Sequence, residues 1–158
     1  MDAASPARLY ATLVGALLIV FGILGFFYSA SFGSPGEVDD ALGAFRCNGW
    51  VNALHIATGA IGLLVASYAA RGYAFVLGSF YAALVIWGFS LDGTETILGF
   101  LPAGTGNDVL HLALGITGLL AAAGTPKTKA KAKPSPRNKP RRRPSRTAST
   151  SNPRGMKS

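Results

Sequence analysis

Cysteine is almost missing from this chain. Cys47 stands alone among 158 residues, so no intrachain disulfide can form, and with only two histidines no Cys-His zinc spacing can be built. A disulfide-stapled secreted domain and a zinc finger are both excluded. Charge is scarce as well: 14% of the residues are charged against 49% hydrophobic, with a mean hydropathy of +0.34. That balance describes a bilayer protein rather than a soluble domain. The scarcity is also uneven. All seven acidic residues lie before residue 109 and twelve of the fifteen basic residues lie after residue 126, giving −4 for residues 1–125 and +12 for residues 126–158. Catalytic signatures are missing too. There is no Gly-x-Ser-x-Gly elbow, phosphate-binding loop, His-Glu-x-x-His or dinucleotide fingerprint, so no enzymatic activity is expected.

What is present is a set of long apolar runs. Residues 9–28 are twenty apolar or small residues without a charge, about 30 Å of helix, the thickness of a bilayer core. Similar runs cover 50–70, 73–89 and 109–124, the last two near the short end for a span. The first run exceeds the core of a cleavable signal peptide, so Ser29-Ala30-Ser31 after it is not read as a cleavage site. Bases next to a span stay on the cytoplasmic side. Arg8, Arg71 and the basic tail therefore share the inner face, while Glu37, Asp39, Asp40, Asp92 and Glu95 mark the two outer connections. Both termini are expected to be cytoplasmic. Tyr10, Tyr68 and Tyr73 then fall at the inner interface, and Tyr28, Trp50 and Trp87 at the outer.

The runs are related in pairs. An offset of 63 superposes Arg8-Leu9-Tyr10-Ala11 on Arg71-Gly72-Tyr73-Ala74, Gly15 on Gly78 and Gly25-Phe26 on Gly88-Phe89. An offset of 56 superposes Leu42-Gly43 on Leu98-Gly99, Leu54-His55 on Leu110-His111 and Gly59 on Gly115. It also brings Gly62-Leu63-Leu64 onto Gly118-Leu119-Leu120. The expected fold is an all-α integral membrane four-helix bundle of two tandem two-helix hairpin repeats (residues 1–125), followed by a disordered tail (residues 126–158). The offsets differ by seven, a surplus assigned to the Gly- and Pro-punctuated stretch 29–35. Repeats with two spans each keep the same orientation, so their symmetry axis should follow the membrane normal.

His55, Gly59, Gly62 and Ala66 recur at helical spacing, and His111, Gly115, Gly118 and Ala122 repeat the stripe. Small residues let helices approach closely in lipid, so Gly15, Gly25, Gly59, Gly62, Gly78, Gly88, Gly115 and Gly118 are expected to be packing sites. The histidines should point inward, shallow beneath the outer surface, with Asn52 and Asp108 three residues earlier to meet the imidazoles. Three uses of this pair stay open. Each histidine makes one interhelical hydrogen bond, or the two bind haem or a transition metal with Asn52 or Asp108 as orienter, or they begin a solute or proton path. Against the last, no span carries a charge near its middle. No cofactor is required by the first reading.

Arg-x-Tyr-Ala opening the first span, an acidic Gly-bearing outer loop, Asn-x-x-His-x-x-x-Gly-x-x-Gly-Leu over Asn52–Leu63 and Asn-Asp-x-Leu-His over Asn107–His111 resemble the bacterial four-span membrane proteins grouped as domain of unknown function 4383. The resemblance covers about residues 7–124. It implies a bacterial plasma-membrane protein of hairpin-repeat build and carries no activity. The family pattern often has a second histidine near the start of span two, where this chain has Val51, which weakens a metal reading here.

The outer acids are expected to keep the loops soluble, with a divalent-cation site as the other reading, and 38–45 and 96–101 to form short interfacial helices. Beyond Pro126 there is no aromatic residue and no Leu, Ile or Val, so nothing can be buried to offset ordering. Prolines between the bases keep this tail locally extended. Lys127, Lys129, Lys131, Lys133, Arg141, Arg142 and Arg143 are the expected contacts to anionic lipid, at about 1 kcal/mol per base near the surface. Nucleic acid is the rival partner, without an aromatic to stack on bases. Arg142-Arg143-Pro144-Ser145 also suits a basophilic kinase, whose phosphate would loosen the tail. The role expected is a membrane or envelope component that packs with itself or with another membrane protein. A haem- or metal-binding protein and a small transporter are the alternatives.

Overall fold

The computed structural model describes residues 4–33, 39–41, 43–91 and 96–127. Four helices carry the fold: α1 (Pro6–Tyr28), α2 (Gly49–Val65), α3 (Ala70–Gly88) and α4 (Thr105–Ala123). α1, α3 and α4 are each long and apolar enough to cross a membrane, and α2 is a shorter apolar helix of 17 residues. The run 50–70 is thus divided differently from the sequence expectation. α2 stops at Val65, a turn follows, and α3 already starts at Ala70, ahead of the expected 73.

Local chemistry explains the helix starts. Ser5 caps α1 by accepting the Arg8 N–H, and Pro6 occupies the first helical position, where its missing N–H costs nothing. Asn48 caps α2 by accepting the Val51 N–H at 3.0 Å. α4 starts after Gly104, which offers no side-chain cap. At its far end, Arg71 Nε donates to the carbonyls of Ala122 (3.1 Å) and Thr125 (3.0 Å), serving the orphan carbonyls of the last turn. The Thr125 hydroxyl accepts the Ala7 N–H at 2.9 Å and donates to Ala121 O.

Helix α1 pairs chiefly with α2, and α3 chiefly with α4. Glycine sets both crossings. A Cβ on Gly15 would meet the Gly59 carbonyl oxygen at 2.8 Å, and one on Gly59 would meet that of Gly15 at 2.5 Å. In the second pair, a Cβ on Gly78 would lie 2.8 Å from Leu119 N and 3.1 Å from Gly115 O. Backbone rests on backbone at each place, the contact that small residues allow in lipid.

Two tyrosines join the pairs. Tyr10 of α1 donates to Leu114 O of α4 at 2.9 Å, and Tyr73 of α3 donates to Thr58 O of α2 at 3.1 Å. Tyr10 lies over Gly118 and Tyr73 over Gly62, each hydroxyl within 2.8 Å of where a Cβ would stand. The rings themselves approach to 6.4 Å between centroids. These two sets of contacts are related by the offsets of 63 and 56.

The short interfacial helices expected at 38–45 and 96–101 are not formed. The described residues there make two antiparallel hairpins instead: β1 (Asp39–Ala41) with β2 (Phe45–Cys47), and β3 (Thr96–Ile97) with β4 (Leu101–Pro102). Left-handed residues at the turns are the physical reason. Gly43 has φ 68°, and Leu98 and Gly99 have φ 56° and 79°, values that reverse a chain and end any right-handed helix. The registers correspond, with Ala41 opposite Phe45 and Ile97 opposite Leu101.

The interior mixes small residues such as Ala7, Ala11, Gly15, Ala74 and Gly78 with larger apolar ones such as Leu18, Leu77, Tyr81 and Leu114 and with the polar Asn52 and His111. Outside, Leu13, Phe27, Leu64, Ile86 and Val109 are all more than 60% exposed. Large apolar side chains exposed in such number suit lipid rather than water.

Candidate functional site

The polar side chains gather at the hairpin end of the bundle. His55 is the seventh residue of α2 and His111 the seventh of α4, so both lie about 9 Å along their helices. Both are buried, at 7% and 4% exposure. They line one cavity of about 40 Å³, together with Arg46, Cys47, Asn52 and Asn107. His111 is further held by Tyr81 of α3, stacked at 5.0 Å between centroids and 28° between planes. The residue 63 positions before Tyr81 is Leu18, also buried, so the two histidines have unlike neighbours.

The expected hydrogen bonds from Asn52 and Asp108 to the imidazoles are not the ones formed. Asn52 Nδ2 donates to Ser29 O at 2.9 Å, and its side-chain amide fills the space over Gly25 that a Cβ would occupy. Asp108 fills the corresponding space over Gly88, and among the described residues its Oδ1 has no hydrogen-bond partner, nor does His55 Nε2 or His111 Nδ1. The spacing i, i+3 places the two members of each pair one turn apart on their helix. The tight crossing of the neighbouring glycine then drew each polar group toward the facing helix.

Asn107 is the polar residue the sequence left without a role beyond its motif. Its Oδ1 accepts the Arg46 N–H at 3.0 Å, while its Nδ2 donates to Arg46 O at 2.9 Å and Pro102 O at 3.1 Å. The amide thereby mimics a strand and ties β2 to β4. Asn48 Nδ2 adds a bond to Phe100 O at 2.7 Å, and Arg46 Nη1 one to Ala103 O at 3.2 Å. Its only sequence signal is the Asn-Asp pair before the second histidine. Rings close the same end: Phe32 meets Trp50 at 5.2 Å, and Trp50 meets Phe100 at 5.9 Å.

Cys47 is 4% exposed, and its thiol lies 3.9 Å from Gly25 O. Burial pushes the thiol above its usual range, and the Asp39 carboxylate adds to this, while the hydrogen bond from Asn52 works the other way. Among the described residues no group of three His, Cys, Asp or Glu side chains could hold a metal ion. The cavity admits about two or three water-sized guests, so a porphyrin between the histidines would require the helices to part.

The remaining site expectations divide as follows. Gly15, Gly25, Gly59, Gly62, Gly78, Gly88, Gly115 and Gly118 all lie at close contacts. Lys127 is exposed at the end of the described chain. Glu37, Asp92 and Glu95, the basic residues Lys129, Lys131, Lys133, Arg141, Arg142 and Arg143, and the kinase site at Ser145 lie outside the described residues.

No curated protein and no solved structure matches the chain. The family described as domain of unknown function (DUF4383) matches over residues 8–124, from the first turn of α1 to the end of α4. With the greater part of its length matched, including nearly all of the four helices, the chain belongs to the domain of unknown function 4383 family.

Proposed function

We propose that this is a non-enzymatic integral protein of the bacterial plasma membrane, a scaffold of four spans in two repeated hairpins, with both ends cytoplasmic and a disordered tail that holds anionic lipid. One observation carries the reading: the amides and the arginine at the hairpin end are directed to backbone. Asn48, Asn52 and Asn107 all donate to main-chain carbonyls, and Arg46 does the same. Such bonds fix hairpins and helix starts, which is a structural use of polar groups. The large exposed apolar side chains fit a lipid environment, and α2 can complete its crossing by bilayer thinning beside it. The paired glycine crossings and tyrosine bonds, related by the offsets 63 and 56, support the repeat. The lipid-facing side chains also suit a second copy or another membrane protein as partner.

Topology is the first test. In a Cys47→Ala background, a cysteine at Gly33 should react with an impermeant maleimide added to intact cells, and one at Ser145 should react only after permeabilisation. Labelling of Ser145→Cys in intact cells would sink the proposed orientation. Loss of the protein from the membrane fraction under alkaline carbonate extraction would sink the integral reading itself.

A further inference from the structure

The two repeats do not close their outer seams alike. α1 and α4 are joined by hydrogen bonds from Ala7 N–H to Thr125 Oγ1 and from Tyr10 to Leu114 O. The repeat-related seam between α2 and α3 keeps the counterpart of the second, from Tyr73 to Thr58 O. Thr125 corresponds there to Ala69, which has no hydroxyl, and Leu9 corresponds to Gly72, which has no side chain. A groove of about 360 Å³, the size of a small-ligand site, opens along this seam, with Ile61, Val65, Gly72 and Val76 in its wall. Nothing lies within 4 Å of a Cβ added to Gly72. Thr58 and Tyr73 also line the groove, but their hydroxyls are already engaged: Thr58 Oγ1 donates to Leu54 O at 2.7 Å, and Tyr73 to Thr58 O at 3.1 Å. A polar guest would forfeit its hydrogen bonds against such a wall.

We propose that the α2–α3 groove is a binding site for one acyl chain of a membrane phospholipid. The proposal rests on the integral membrane reading, and the assignment to the cytoplasmic leaflet rests on its orientation. The groove opens sideways, since Ile61 and Val76 in its wall are both more than half exposed, so it is continuous with the apolar side chains that face lipid. It runs from Ala69, in the turn before α3, to Leu77. That is about 12 Å of helix, close to the share of one leaflet in an apolar core of about 30 Å. A partner helix fits less well. Close helix packing in lipid needs small residues at successive turns, and here Gly72 is followed at helical spacing by Phe75 and Val76, and Ile61 by Leu64 and Val65. A flexible chain of methylenes follows an irregular wall and restores the dispersion contacts that a gap forfeits.

The test is photolabelling of the full protein in vesicles of phosphatidylcholine that carries a diazirine in one acyl chain, with adducts located by mass spectrometry of fragments. Adducts per residue over 58–77 should exceed, several-fold, those on the exposed α1 face at Leu13, Leu17 and Val20. Gly72→Leu, which copies the residue of the first repeat, and Ile61→Phe each fill the groove. Either should bring the two regions to parity while adducts on α1 persist. Even labelling of the two regions in the wild type would overturn the proposal, as would enrichment that survives both fillings. Efficient disulfide cross-linking between copies through Val76→Cys in a Cys47→Ala background, with no enrichment of lipid adducts, would put a second copy in the groove instead. None of these outcomes depends on which way the chain is inserted, so a failed orientation and a failed groove are told apart. Absence of adducts on α1 as well would overturn the integral reading together with the groove.

Discussion

Glycine matters here through what faces it. At Gly15 the obstacle to a methyl group is main chain, the Gly59 carbonyl oxygen at 2.8 Å and Leu63 N at 3.2 Å, and backbone cannot rotate out of the way as a side chain can. At Gly72 nothing lies within 4 Å of the added carbon. Gly15→Ala should therefore force α1 and α2 apart and cost about 1–3 kcal/mol, as overpacking does. Gly72→Ala should be neutral or gain up to about 1 kcal/mol from helix propensity. Thermal unfolding of the two variants in one detergent measures the contrast, and equal midpoints would remove the close-crossing argument. The glycine stripe was readable in the sequence because helical spacing fixes which residues share a face. The partners of Asn52 and Asp108 were not, because they lie on another helix, and a local rule such as i, i+3 ranks only neighbours on the same one. Cys47 illustrates a different gap: nothing in its sequence neighbourhood shows that the hairpin folds it against Gly25. Its raised thiol range favours the neutral form in the folded state. That contribution is complete below the ordinary thiol range and is lost as pH rises through the folded value. Maleimide labelling of native Cys47 near pH 8 should accordingly be much slower than that of an unfolded control. Equal rates would mean that the β1–β2 hairpin opens freely.

The helices and the hairpins differ in how far sequence could define them. A run of about twenty apolar residues is a signal that composition alone carries, and all four helices were anticipated, with ends moved by a few residues. The hairpins depend on two to three paired residues on each side and on left-handed turns, which a short window does not distinguish from an interfacial helix. Leu98 is the clearest case. It is 61% exposed and sits at φ 56°, in the first central position of a reversal closed by Phe100 N–H to Ile97 O at 3.3 Å. A branched side chain in that conformation costs about 1–2 kcal/mol, whereas Asn followed by Gly suits such a turn. Leu98→Asn should therefore raise the stability of the hairpin end by about 1 kcal/mol. Hydrogen exchange of the Phe100 amide gives the measurement. Faster exchange in the variant would mean that the Leu98 side chain contributes contacts worth more than its backbone strain.

At the scale of the whole chain, the acidic first part and the basic last part call for different physics. The bundle is held by close backbone contact and by hydrogen bonds to carbonyls, neither of which depends strongly on ionic strength. The segment with twelve Lys and Arg and no acid, and without Leu, Ile, Val or an aromatic, is proposed to act through charge. Salt should separate the two. In vesicles that contain anionic phospholipid, the exposed Lys127 and the basic residues beyond it should be protected from trypsin at low salt. That protection should fall steeply between about 0.05 and 0.5 M, as the screening length shrinks from above 10 Å toward a few ångströms. In zwitterionic vesicles protection should be weak at every salt concentration, and in both lipids the helical content and thermal midpoint of the bundle should hardly change. Equal cleavage in the two lipids at low salt would leave the bases as a topology signal alone, since retention of Lys and Arg on the cytoplasmic side requires no lasting contact with lipid.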